Sequence, residues 1–247
     1  MRQRSMWLMF LYLGVATCAS AQTANITPTI EVIIAGMAQA RAENQARFRA
    51  YVVTRDYKLF GKEKAKTKVH LMADISFVPP ATKKYSIHKT DGAGFGETIV
   101  RRMLISEVEI AKDYPSTDFS RDNYDLRFIH EGNAGGQRCY VLELLPKRKS
   151  KNLLHGKIWV DAGTYLPRRI EGEPAKTPSW WLRSLRIELD YSEVGGMWLQ
   201  TGLEATAVVR ILGPHTIVVR DLKYQLSELL VVVRPKGFLK PNKGSVQ

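Results

Sequence analysis

The most constraining feature of the chain is a strict alternation over residues 69–77, where Val69, Leu71, Ala73, Ile75 and Phe77 are interleaved with His70, Met72, Asp74 and Ser76. Side chains on an extended chain point to opposite faces at every second residue, so this run predicts a β-strand with one greasy and one polar face. The same period runs through 48–57, with Tyr51, Val53, Arg55 and Tyr57 on one side, and a charged turn over 61–68 joins the two strands. Pro79-Pro80 ends the second strand, and Tyr85 and Ile87 mark a third that reaches the Asp91-Gly92 turn. From Tyr124 onward the pattern is a succession of hairpins. Their turns are marked by Asn133-Ala134-Gly135-Gly136, Asp161-Ala162-Gly163-Thr164, Gly195-Gly196 and Gly213-Pro214. Connections this short force neighbouring strands to run antiparallel.

Two segments break the period of two. Residues 24–48 open on Thr27-Pro28, a cap followed by proline in the first turn, and continue with Ile30, Ile33, Ile34, Met37 and Ala38 at helical spacing. Residues 97–112 place Ile99, Val100, Met103, Leu104, Val108 and Ala111 on one broad helical face. The fold class is therefore mainly β. About ten to eleven strands make a sheet that twists and curls, and two short helices laid flat could not cover its apolar face. The predicted architecture is a curved antiparallel sheet forming an incomplete (half) β-barrel, with the two amphipathic helices over the concave face. Such a shape can enclose an apolar cavity, either open or filled by its own side chains.

The first residues stand apart. Arg2 and Arg4, the apolar run 6–16 and the small-residue site Ala19-Ser20-Ala21 predict a secretory signal peptide over 1–21, leaving residues 22–227 as the half-barrel domain and 228–247 as a C-terminal strand and basic tail. The hydrophobic segment 229–233 could form a final strand or dock elsewhere. Cleavage after Ala21 removes two of the cations behind the net charge of +13. The expected location is the periplasm. A rival outline, Val15-Ala16-Thr17-Cys18, would make Cys18 a lipid anchor, but Thr17 stands where Gly, Ala or Ser normally precedes a lipidated cysteine. With Cys18 lost, Cys139 has no disulfide partner and its alternating context predicts a small buried hydrophobe. A composition of 45% hydrophobic and 25% charged residues excludes a disordered tail and a polytopic membrane protein.

The stretch Gly156-Lys157-Ile158-Trp159-Val160-Asp161, followed by Tyr165-Leu166-Pro167-Arg168-Arg169-Ile170-Glu171-Gly172, resembles the paired strands of the periplasmic lipoprotein carriers, LolA with its relatives LolB and RseB. Met197-Trp198-Leu199 is similar to the approach to their penultimate strand, and the order of elements over roughly residues 28–227 is similar throughout. The resemblance implies an unclosed barrel whose apolar interior receives acyl chains of lipoproteins or lipids. It also implies a difference. In LolA an arginine precedes the proline at a strand end and holds the helical lid; the matching place here is Pro79, which has no such side chain.

Under the carrier reading the acyl-chain residues are Leu71, Ile75 and Phe77 on the second strand, Ile99, Val100, Met103 and Leu104 on the second helix, and Trp180 with Trp181; under the plainer reading most of these are core. The adjacent indoles are expected on opposite faces of a strand, one in the core and the other at a rim. Glu107 falls inside the apolar stripe of the second helix and needs a partner: a neighbouring cation or water, or the strand arginine Arg55 as a substitute latch. The basic turns Lys62 to Lys68 and Lys147 to Lys151 suit either plain solvation or attraction to an anionic membrane surface or an envelope protein partner.

His70, His88, His130, His155 and His215 are isolated, Cys-x-x-Cys and Gly-x-Ser-x-Gly are absent, and Gly92-Ala93-Gly94-Phe95-Gly96 precedes a helix but lies in an antiparallel context without a Rossmann unit or a Walker lysine and reads as a hinge. The expectation is a monomeric lipid or lipoprotein carrier in outer-membrane lipoprotein sorting, with no enzymatic activity, no cofactor, no metal and no nucleic-acid partner. The alternative is an RseB-like envelope sensor or protein-interaction module.

Overall fold

The computed structural model describes residues 27–62 and 66–226, with Phe95 and Tyr114 by their backbone alone, and the backbone of 229–232. The expected signal peptide and Cys18 lie outside these residues, as does the basic tail beyond 232. Two helices, α1 (Ile30–Ala46) and α2 (Phe95–Lys112), accompany eleven strands: β1 (Tyr51–Phe60), β2 (Thr67–Val78), β3 (Thr82–Asp91), β4 (Tyr124–Ala134), β5 (Gln137–Pro146), β6 (Leu154–Asp161), β7 (Pro167–Pro174), β8 (Leu182–Val194), β9 (Met197–Val209), β10 (Gly213–Leu226) and β11 (Leu229–Val232). All belong to one antiparallel sheet in the order β3-β2-β1-β10-β9-β8-β7-β6-β5-β4, and β11 pairs with β10. The sheet does not close: β3 and β4 remain its edges. This is the half-barrel that the hairpin pattern predicts. The paired positions of β9 end at Arg220 of β10, so residues 223–226 of that strand are left to accept β11, and segment 229–232 is a strand.

Alternation settles the faces. Val53, Arg55, Tyr57 and Leu59 of β1 are buried, as are Val69, Leu71, Ala73, Ile75 and Phe77 of β2. The intervening residues make a polar outer face, where Thr54 donates to Asp74 at 2.7 Å and the His70 ring meets Asp56 at 2.6 Å. The apolar interior falls into two clusters, one beneath each helix. Val100 and Leu104 of α2 pack among Val53, Tyr57, Leu71, Ala73 and Ile75, whereas Ile33 and Met37 of α1 pack among Leu142, Leu144, Ile158 and Ile170. Ile187 of β8 lies against both clusters. Cys139 is buried with a free thiol.

Both helices differ in detail from the periodicity. α1 begins at Ile30 behind Thr29, which makes no side-chain cap; the Thr27 hydroxyl donates instead to Glu131 at 2.6 Å. Thr27-Pro28 therefore precedes the helix rather than opening it, because a tertiary partner competes for the capping hydroxyl. In α2 only Val100 and Leu104 are buried among the described side chains, although the apolar stripe is broader.

The stretch that carries the family resemblance has a local physical role. Gly156 pairs with Gly172 across β6 and β7, and a Cβ at Gly156 would overlap the Glu171 carbonyl oxygen. In the following turn Asp161 Oδ1 accepts from the backbone N–H groups of Gly163 at 2.9 Å and Thr164 at 2.8 Å, and Arg168 donates to its other oxygen. The turn presents Tyr165 to α1 at Gly36, where a Cβ would come within 2.7 Å of the ring. The hairpin thus seats the first helix.

Candidate functional site

The inward face of β1 carries one cation among apolar neighbours. Arg55 donates through Nε and Nη2 to the carboxylate of Asp221 on β10, the latter at 3.2 Å, and through Nη1 to Glu107 Oε2 of α2 at 2.7 Å. Lys83 Nζ on β3 donates to the other Glu107 oxygen at 2.8 Å. Tyr224 donates its hydroxyl to Asp221, and the buried Tyr57 hydroxyl makes no hydrogen bond to the described residues. The cluster ties α2 to three strands through charge rather than through apolar packing.

Its electrostatics follow from position. Burial by itself would raise the Glu107 carboxyl, but Arg55 and then Lys83 outweigh it and hold the group at about 2, against an ordinary 4.5. Burial disfavours the charged form of Arg55, yet Glu107 and Asp221 lift its pKa well above the ordinary value. Burial, reinforced by Asp221, also pushes the Tyr224 hydroxyl up, which keeps it a donor. Glu107 and Arg55 are therefore charged at neutral pH and Tyr224 stays a protonated donor, and among the described residues the network is internally satisfied apart from Tyr57.

The structure brings most of the sequence-derived candidates to one place. Leu71, Ile75, Val100 and Leu104 meet in the cluster beneath α2, with Met103 packed at its border. Phe77 is buried at the adjoining end of β2, in ring contact with Phe48 and Tyr51. Ile99 is half-buried on the same helix. These side chains fill the concave face in this state. Trp180 and Trp181 are elsewhere: they precede β8 in the β7–β8 connection, Trp180 is 83% exposed and Trp181 is half-buried, so neither is a core residue. The expectation of opposite strand faces fails because β8 starts at Leu182, after both of them.

Two features escape the sequence reading. One is Asp221 with Tyr224 and Lys83, whose meeting with Arg55 depends on strand register. The other is a pair of adjoining grooves along α1. The first, about 420 Å³, has Ile30, Ile34, Tyr124 and Leu126 as its apolar lining and Arg121, Arg127 and Lys147 among its polar residues. The second, about 470 Å³, has Ile34, Met37, Ala38 and Phe119 as apolar lining, with Arg41 and Arg121 offset by Glu31 and Asp122. Ile34 and Ala38 were visible as part of a helical stripe, but the stripe does not show which members the sheet leaves uncovered.

A family model described as "Uncharacterized protein" matches residues 104–226. No curated protein matches the chain. Among solved structures, the chain is similar to an outer membrane lipoprotein-sorting protein domain from Vibrio parahaemolyticus, at 13% identity over 78% of this chain and 91% of that one, with a TM-score of 0.47. It is also similar to a DUF1329 family protein from Desulfovibrio piger, at 13% identity over 82% and 95% of the two chains, TM-score 0.45. A LolA superfamily protein from Nitrosomonas europaea is similar at 12% identity over 82% and 96%, TM-score 0.41.

Proposed function

We propose that the protein is a non-enzymatic periplasmic binder of lipoprotein or lipid acyl chains, acting in lipoprotein sorting, which admits a chain to its concave face when α2 lifts. The observation that carries this reading is the way α2 is attached. Arg55 keeps Asp221 as a partner on the sheet and has Glu107 as a second partner on the helix. Lifting α2 exposes Glu107 and Lys83 to water while Asp221 still pairs Arg55, so the lid opens without the cost of leaving a buried charge uncompensated.

Magnitudes favour the exchange. Full burial of Val100 and Leu104 contributes about 3–6 kcal/mol, taking ~1.5–3 kcal/mol for each side chain. An acyl chain of about a dozen carbons contributes ~10 kcal/mol at ~0.8 kcal/mol for each methylene. A guest can therefore replace what the helix gives up, and its recognition would depend on length more than on head-group chemistry. The buried hydroxyl of Tyr57 offers one donor beside Arg55 for a carbonyl at the end of such a chain.

Native mass spectrometry of the purified protein, followed by displacement with a fluorescent fatty acid, tests the reading. A co-purifying acyl lipid is expected, and Glu107→Gln is expected to speed both uptake and release about tenfold or more, the loss of one charged hydrogen bond being worth ~1.5–3 kcal/mol. A protein that neither carries nor takes up acyl chains, yet captures one envelope protein, would replace this reading with the sensor alternative. Unchanged uptake and release in Glu107→Gln would remove the lid from it.

A further inference from the structure

An antiparallel sheet sends alternate connections to opposite rims, and here the two rims differ in charge. The connections β2–β3, β4–β5, β6–β7 and β8–β9, residues 79–81, 135–136, 162–166 and 195–196, contain no charged residue, and the α1–β1 connection on the same rim adds only Arg47 and Arg49. The connections β1–β2, β3–α2, β5–β6, β7–β8 and β9–β10 all lie on the other rim. They hold Lys62, Lys66, Lys149, Lys151, Lys176 and Arg210, every one exposed, and no carboxylate among their described residues; the α2–β4 connection, which reaches the same rim, adds Asp113, Asp118 and Asp122 with Arg121, so the cations remain in excess. Lys147 and Arg148 add to the β5–β6 loop; Lys147 lies 3.7 Å from Asp125 at the start of β4, and Arg148 donates to the Asn123 side chain at 2.7 Å.

Within this basic rim stands the most exposed apolar group of the described surface. Trp180 is 83% exposed, Ile211 93% and Leu212 54%. They adjoin, because the N–H of Arg210 donates to the Trp181 carbonyl at 3.0 Å and its Nε to the Trp180 carbonyl at 2.8 Å, clamping the β9–β10 turn against the entry to β8. None of the three belongs to either core cluster. A single exposed apolar residue is ordinary, whereas three on clamped neighbouring turns, surrounded by cations, form a patch of defined chemistry.

We propose that this rim docks on an anionic lipid bilayer, with Trp180, Ile211 and Leu212 entering the headgroup layer and the lysines of the adjoining loops meeting lipid phosphates. An indole with one polar edge suits the membrane–water interface, flanking aliphatic tips add apolar area, and basic loops concentrate the protein at a negative surface. Charge complementarity selects this occupant over a second copy of the chain, because two copies joined rim to rim would oppose like-charged loops. The inference does not depend on acyl-chain binding beneath α2.

Sedimentation of the purified protein with vesicles is the test. Binding is expected to vesicles of phosphatidylcholine mixed with phosphatidylglycerol, and not to phosphatidylcholine alone, and it is expected to weaken as salt rises. Lys149→Glu with Lys151→Glu should lower the partition coefficient by about fivefold or more for each cation removed. Trp180→Ser with Ile211→Ser should lower it about tenfold while leaving the thermal midpoint in place, since both side chains are exposed. Equal binding to neutral vesicles, or full binding by the serine variant, would overturn the proposal. So would a dimer in sedimentation velocity that the serine variant dissolves, because the patch would then belong to a second copy.

Discussion

Arg55 lies between two carboxylates that differ in their attachment. Asp221 is fixed on the neighbouring strand, and Glu107 arrives on a helix that buries little else. The depressed Glu107 carboxyl gives this arrangement a pH signature. Its folded value of about 2 lies below the ordinary 4.5, so its contribution to stability is fully present above about pH 4.5 and is lost as pH falls toward about 2. In urea unfolding, the native protein is expected to exceed Glu107→Gln by a constant margin at neutral pH, and that margin should shrink between those two limits; a margin that stays level to pH 2 would mean that the ion pair adds nothing. Part of this site can be read from the sequence. Arg55 shares the period of Tyr51, Val53 and Tyr57, and Glu107 sits inside a helical stripe, so each is a charge facing an apolar interior. Asp221, Lys83 and Tyr224 are not readable in that way, because nothing local specifies which residue of β10 or β3 comes to lie beside Arg55.

At the scale of elements, alternation and turn residues locate the strands better than stripe width locates helix burial. β2 buries the five residues that alternation assigns inward, since a sheet face is covered along its whole length. Among the described side chains α1 and α2 each bury only two, because a helix crossing a curved sheet touches it along a narrow line. Trp180 and Trp181 show the same limit from another side: adjacent aromatics predict a strand, yet the strand begins after them. The β6–β7 hairpin is the element whose glycines have a direct mechanical reason. Gly156→Ala would drive a methyl group into the Glu171 carbonyl and separate the strands that hold Tyr165 against α1. A loss of about 1–3 kcal/mol is expected in denaturant unfolding, with the amides of α1 the first to lose protection in hydrogen exchange. Full stability in that variant would show that the two strands can part without consequence.

For the molecule as a whole, the division of the interior into two clusters predicts two levels of protection. With α2 lifting as proposed, amide hydrogen exchange should be faster in α2 than in β1, β2, β5 and β6, whose amides should exchange only on global unfolding. Loading with a long-chain fatty acid should slow exchange along β1 and β2 more than along β5 and β6. Uniform protection across α2 and the strands beneath it would argue for a single rigid body.

The pairing of β1 with β10 has a kinetic consequence. Arg55 and Asp221 are separated by 166 positions, and the local hairpins between them need only neighbouring sequence. A chain folding from its amino end makes those hairpins within microseconds, then waits with a guanidinium stranded on a half-built greasy surface until nearly the last segment has been supplied. Refolding of the whole chain should accordingly be limited by this late closure, and any fragment ending before residue 213 should remain sticky and prone to aggregate.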